Sequence, residues 1–201
     1  KEMSLPHTSD YKLMYEEGTS LFNMREHQKI KEIDEETSLS MYNILINELT
    51  NADYEQYEIS NFARPGFRSL HNSSYWHEIP YIGLGASAHS YLDGIRKWNI
   101  SNLKKYMDEI ACNTLPQEIE ILSKDTQYND LITTALRTKE GIDLNKMKNK
   151  YGEERYNYLM KEAQPHINAG KMKLSKHRLF ITRMGLFTSD DIMSDLIYIA
   201  D

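Results

Sequence analysis

The sequence predicts a mixed fold, part α/β and part α+β: the last strands and a helix of a β/α layer, followed by a helical, winged-helix-like C-terminal domain. Three observations carry this. A strand–helix–strand order occupies residues 11–60, a proline and glycine break opens an unusual loop, and beyond Asn99 helical periodicity takes over until a short hairpin. The expected division is 1–100 for the layered part and 101–201 for the helical part.

The elements follow in order. Tyr11 to Tyr15 reads as a short strand that ends at the turn residues Glu17-Gly18-Thr19, after which a polar run leads to Asp34. Asp34 is suited to cap a helix, since Glu35 and Glu36 sit where the helix dipole favours acids and Leu39, Tyr42, Leu45, Ile46 and Leu49 share a face. Tyr54 to Ser60 alternates as a strand, with Tyr57 and Ile59 on one side and Gln56, Glu58 and Ser60 on the other. Ala63-Arg64-Pro65-Gly66 must end it, because proline donates no ladder hydrogen bond.

The helical half is punctuated by caps. Ser101 is expected to start a helix with Leu103, Tyr106, Met107 and Ile110 on one face, and Leu115-Pro116 to end that region. Ser123 opens a second helix through Leu131, Ile132, Ala135 and Leu136. Gly141-Ile142-Asp143 opens a short third, and Glu153 to Ala169 a fourth, with Tyr156, Leu159, Met160 and Ala163 inward, Pro165 a possible kink and Gly170 as C-cap. Met172–Leu174 and Leu179–Thr182, joined by Ser175-Lys176-His177, form a hairpin before a last helix towards Ile197.

Composition excludes several classes. No run approaches the roughly 18 apolar residues that span a bilayer, and Lys1-Glu2-Met3-Ser4 has no leader pattern, so the expected place is the cytoplasm. Cys112 is the single cysteine. It can form no disulfide within the chain and no thiolate cage for zinc or an iron–sulfur cluster, and it is expected as a small buried apolar residue. With 24 basic against 30 acidic residues the net charge is −6, which opposes general attraction to nucleic acid. The segment 164–187 lacks Asp and Glu but carries Lys171, Lys173, Lys176, Arg178 and Arg183, so a basic wing that touches DNA phosphates is the alternative of a different class.

Chemistry concentrates between Arg68 and Tyr91, which hold His71, His77 and His89, three of the seven histidines. The run Tyr57-Glu58-Ile59-Ser60-Asn61-Phe62-Ala63-Arg64-Pro65-Gly66 resembles the signature of the HemW heme chaperones. The chain's His71-Asn72-Ser73-Ser74-Tyr75-Trp76 fits that family's H-N-x-x-Y-W motif, and Tyr81-Ile82-Gly83-Leu84-Gly85-Ala86-Ser87-Ala88-His89-Ser90 fits its glycine-rich segment. Tyr15-Glu16-Glu17-Gly18-Thr19 and Thr182-Arg183-Met184-Gly185 fall in the matching order, so the resemblance covers nearly the whole chain.

The resemblance implies a parent with an N-terminal radical-SAM barrel, a C-x3-C-x2-C motif for a 4Fe-4S cluster, and S-adenosylmethionine. The present chain would then supply the last elements of that barrel and the C-terminal domain, as a C-terminal fragment without cluster cysteines and without radical chemistry of its own. The related family of oxygen-independent coproporphyrinogen III oxidases decarboxylates propionates in porphyrin biosynthesis. HemW proteins instead bind heme and pass it to respiratory proteins, and the H-N-x-x-Y-W motif points to them.

In that setting His71 is the candidate axial iron ligand, and Asn72, Tyr75 and Trp76 the residues around a porphyrin, since a neutral imidazole binds iron and aromatic rings cover a planar face. The competing structural reading has His71 and Asn72 bonding their own loop while Tyr75 and Trp76 fill a core. His77, six residues on, is not expected to share a face with His71. Gly83, Gly85, Ala86, Ala88 and His89 are expected where backbone lies close to S-adenosylmethionine or porphyrin, or else in a tightly packed strand. Arg64, Arg68 and Arg96 are candidates for pairing with heme propionates.

Overall fold

The computed structural model describes residues 5–199, so the N-terminal stretch read for a leader lies outside the described residues. The chain divides into two compact units, Lys1–Ser69 and Leu70–Asp201. Among the described residues the strands form three separate three-stranded sheets and no closed barrel. None of the described helices is long and apolar enough to cross a membrane.

In the first unit, β1 (His7–Ser9), β2 (Glu55–Glu58) and β3 (Asn61–Ala63) form a sheet of order β1-β3-β2 with both pairings antiparallel. Two helices separate β1 from β2: α1 (Ser20–Glu26), capped by the Thr19 hydroxyl, and α2 (Glu35–Asn51), whose Thr37 N–H donates to the Asp34 carboxylate at 2.8 Å. That hydrogen bond lowers the Asp34 pKa from its ordinary value. The strand–helix–strand order therefore holds, but parallel pairing does not. The chain reverses at Ile59-Ser60 and returns as β3, which takes the central place.

Two expectations fail here for local reasons. The first strand lies at His7–Ser9, and Tyr11 to Tyr15 forms none, with Tyr11, Leu13 and Met14 exposed. The ladder's last bond runs from the Asp10 N–H to the Ser60 carbonyl, so apolar content three residues later had no partner strand to meet. Glu58, expected on the outer side, is 2 % exposed, because a register shift between Gln56 and Glu58 turns it inward beside the buried Tyr57.

The second unit begins with α3 (Leu70–Trp76). Next come β4 (His89–Leu92) and β5 (Ile95–Asn99), joined by the turn Asp93-Gly94, in which both residues have positive φ. After α4 (Leu103–Ala111), β6 (Gln117–Ile121) pairs with β5 to complete the sheet β4-β5-β6. Asn102, not Ser101, caps α4 through a hydrogen bond from the Lys105 N–H at 2.9 Å. Cys112 is the C-cap of α4 and is exposed rather than buried, as the helix itself buries none of its residues.

The remaining elements are α5 (Lys124–Ala135), β7 (Ile142–Asp143), α6 (Leu144–Asn168), β8 (Met172–Ser175), β9 (Arg178–Ile181) and α7 (Ser189–Asp195). The third sheet has the order β7-β9-β8. Ser123 caps α5 and Asp143 caps α6, as their sequences indicate. The break in α6 falls at Gly152, with φ 89° and ψ 175°, and not at Pro165; glycine accepts the positive φ that turns the expected third helix into the fourth. Tyr128, Ile132, Leu159, Leu179 and Leu196 are fully buried at the centre, each aliphatic side chain contributing about 1.5–3 kcal/mol by leaving water. The Tyr128 hydroxyl, whose pKa burial raises, donates to the Leu196 carbonyl at 3.1 Å and ties α7 to α5.

Candidate functional site

Part of the segment expected as loop is the helix α3, built from Leu70-His71-Asn72-Ser73-Ser74-Tyr75-Trp76. Seven largely polar residues do not hold a helix alone. Its C-terminus closes with Ile79 N–H donating to the Ser74 carbonyl at 3.0 Å, while Glu78 takes the left-handed conformation at φ 53°. The Glu78 carboxylate then meets Lys150 Nζ on α6 at 3.0 and 3.1 Å, and the Tyr151 hydroxyl approaches it at 3.5 Å.

His71 and Tyr75 stand one turn apart on the outer side of α3, and both are exposed. The Tyr75 hydroxyl lies 3.2 Å from His71 Nε2, with the rings edge to face at 5.0 Å. Either group can donate in this contact: with the ring proton on Nε2 the imidazole donates to the tyrosine oxygen and the Nδ1 lone pair stays open, and with the proton on Nδ1 the hydroxyl donates to Nε2. Tyr75 continues into an aromatic row, edge-on to Tyr81 at 4.6 Å, which lies 6.5 Å from Tyr91. Reciprocal backbone hydrogen bonds between Tyr81 and Tyr91, at 2.9 and 3.0 Å, hold that row in place. Burial raises the Tyr81 hydroxyl's pKa, so it stays a neutral donor at physiological pH.

Leu70, Ile82 and Leu84, close in sequence to members of this row, are each more than 80 % exposed, and Ile79 is exposed as well. An imidazole, an aromatic row and unpaired aliphatic side chains are what a flat, largely apolar ligand with one Lewis-acid centre requires. Asn72 and Trp76 are half-buried on α3. His77 is exposed just beyond α3, its Nδ1 2.7 Å from the Ser73 carbonyl. Among the described residues no group of three or more His, Cys, Asp or Glu side chains stands ready for a bare metal ion.

The glycine-rich segment is committed to its own chain. A Cβ on Gly83 would lie 2.1 Å from the His89 carbonyl oxygen, so the close approach that glycine permits here is to β4. Gly83 N–H donates to Ser90 Oγ at 3.0 Å, Gly85 N–H to the Tyr106 hydroxyl at 3.3 Å, and Asn99 Nδ2 to the Gly85 carbonyl at 2.8 Å. Ala88 N–H reaches the Gly85 carbonyl at 3.3 Å, and Ala86 is half-buried in the same turn. His89 stacks on Trp98 at 6.0 Å and, with Ser87, Asn102 and Lys105, lines an open cavity of about 420 Å³.

The three arginines differ in what holds them. Arg96 pairs with Asp130 at 2.6 Å and with Glu120 at 3.5 Å in the second unit. In the first unit Arg68 pairs with Glu55 at 2.8 Å and lies over the Tyr57 ring, while Arg64 is exposed over the Tyr54 ring. Sequence reasoning missed Tyr81 and Tyr91 as a row and Glu78 with Lys150 as a pair. The second pair is separated by 72 positions and has no local signal.

The HemN C-terminal domain model matches residues 122–188. The solved structure of coproporphyrinogen III oxidase (HemN) from Escherichia coli, described as a radical SAM enzyme, superposes on 85% of this chain and 44% of its own, with TM-score 0.62 at 17% identity, a likeness of fold. In sequence and in fold the chain is similar to the family of HemN and HemW proteins. Within that family, heme chaperones named HemW align over nearly its whole length: that of Lactococcus lactis is 30% identical over 98% of this chain and 52% of the relative, and that of Bacillus subtilis 28% over 92% and 49%. The chain spans about half the length of the curated relatives it matches.

Proposed function

We propose that this chain is the heme-handling C-terminal half of a HemW-like chaperone, with His71 as the axial ligand and Asn72, Tyr75 and Trp76 beside the porphyrin. The observation that carries the reading is the placement of the H-N-x-x-Y-W motif on a helix whose imidazole is solvent-accessible and oriented by a tyrosine. A single imidazole suffices for heme, because the porphyrin brings four ligands of its own, whereas a bare ion would need several more from the protein. Recipients are heme-accepting respiratory proteins, and the cytoplasm is the place of action.

On the same reading residues 1–100 descend from the end of a radical-SAM barrel and residues 101–201 form a helical, winged-helix-like part, although the compact units divide at 69/70. The order α5, β7, α6 broken at Gly152, then the hairpin β8–β9, supports the second attribution. A 4Fe-4S cluster and S-adenosylmethionine belong to a parent rather than to these residues, since the lone, exposed Cys112 offers one thiolate where three are needed. Coproporphyrinogen III oxidation, the activity named for the HemN relative, would rest on that absent chemistry. Gly83, Gly85, Ala86, Ala88 and His89 would lie close to a bound cofactor, and Arg64, Arg68 and Arg96 are the candidates for pairing with propionates.

A heme titration followed at the Soret band tests the reading. Wild-type protein is expected to give a saturable red shift that His71→Ala loses. Equal titrations of wild type and variant would remove His71 from the site and the reading with it. Nucleic acid is not expected as a partner, and retardation of random DNA at low salt would reverse that.

A further inference from the structure

The family-matched helical region, residues 122–188, contains Lys150 and Tyr151, and these are the residues that reach the end of α3. Three features converge there. Glu78 is a non-glycine residue held at φ 53°, a conformation that costs energy unless its surroundings fix it. Its carboxylate receives Lys150 Nζ on both oxygens, at 3.0 and 3.1 Å, and is the less exposed partner of the pair at 24% against 44%. Tyr151, 4% exposed, hydrogen-bonds the Gln127 carbonyl on α5 at 3.1 Å and stands 3.5 Å from the same carboxylate, so the anchor is rooted in the core.

Burial pushes the Tyr151 hydroxyl up to about 12, so it remains protonated and can donate. Burial opposes the Lys150 charge, yet hydrogen bonding to Tyr151 and Glu78 holds its pKa above the ordinary lysine value, so the ion pair is intact across physiological pH. We infer that Glu78, Lys150 and Tyr151 form a latch by which the HemN C-terminal domain holds α3, making Lys150 a positioning residue for His71. Its relevance to heme rests on the function proposed above; its hold on α3 does not. A fold-level role follows for the domain: it mounts the helix that carries the H-N-x-x-Y-W motif.

The test compares Lys150→Met, Lys150→Arg and Glu78→Gln with wild type, by amide hydrogen exchange without heme and by heme titration with recorded spectra. Lys150→Met is expected to speed exchange of the His77, Glu78 and Ile79 amides about two- to tenfold, the range of a partly exposed ion pair, with the β8–β9 amides unchanged. Heme affinity should fall by a similar factor with an altered Soret position, Lys150→Arg should restore both, and Glu78→Gln should match Lys150→Met. Unchanged exchange in both charge-removing variants would overturn the latch. Faster exchange with wild-type affinity and spectrum would overturn its positioning role. If wild-type binding proves independent of His71, the heme reading fails while exchange still decides the latch.

Discussion

Two segments of this chain carry the strongest family resemblance, and the fold treats them in opposite ways. Tyr57 to Ala63 is turned inward: Tyr57, Glu58, Asn61, Phe62 and Ala63 are all buried. Its polar atoms are satisfied locally, with Asn61 Nδ2 donating to Glu58 at 2.6 Å, Ser60 N–H at 2.9 Å, and Ser9 Oγ donating to Asn61 at 2.6 Å. Leu70 to Trp76 is turned outward, with Leu70 85% and Tyr75 39% exposed. Equal strength as motifs thus conceals two physical roles. The first pins a tight hairpin around a buried carboxylate, and the second leaves Leu70, His71 and Tyr75 exposed.

The largest effect should come from Phe62→Ala, which empties a site with no solvent exposure and is expected to cost about 3–5 kcal/mol, read as a lower urea midpoint. A cost under 1 kcal/mol would mean the first motif is not the core feature described, and would break the comparison.

Next is Glu58→Ala, expected to cost about 1–3 kcal/mol because it takes the acceptor from the half-buried Ser60 N–H and the buried Asn61 Nδ2. Glu58→Gln keeps one acceptor oxygen and should lose less. If both variants lost the same, the lost interaction would be charge and not the two hydrogen bonds. Gly83→Ala follows at about 1–3 kcal/mol, since the new methyl must displace the His89 backbone. A neutral result in the same denaturation assay would free the glycine-rich segment for a ligand.

What could be read from the sequence was what depends on neighbours along the chain. Asp34, Ser123 and Asp143 cap as their spacing requires, and Asp93-Gly94 turns as that dipeptide does. The hairpin β8–β9 was equally legible, although its turn uses Lys176 and His177 at positive φ, without a glycine. What failed depended on distant partners. His7–Ser9 is a strand because β3 is there to receive it, and Gln117–Ile121 because β5 is; neither segment signals this by itself. The face Leu103, Met107 and Ile110 has helical spacing yet is exposed, since periodicity reports an apolar side and not what covers it. For the site, the motif singled out His71 and Tyr75, whose side chains α3 brings to 3.2 Å, but the row through Tyr81 and the anchor at Glu78 required the fold.

The smallest effect on stability should be that of His71→Ala. An exposed side chain whose one described hydrogen bond is to another exposed residue is expected to change unfolding by no more than about 0.5 kcal/mol. The value of this variant lies in the contrast with Phe62→Ala. A residue kept for the fold shows itself in denaturation, and one kept for a ligand shows itself only when the ligand is added. If His71→Ala destabilised the protein by 2 kcal/mol or more, about the cost of a buried group, the imidazole would be a structural strut and the motif's outward face would lose its meaning. If stability is unchanged while the Soret shift disappears, the two motifs are separated by experiment as they are by burial.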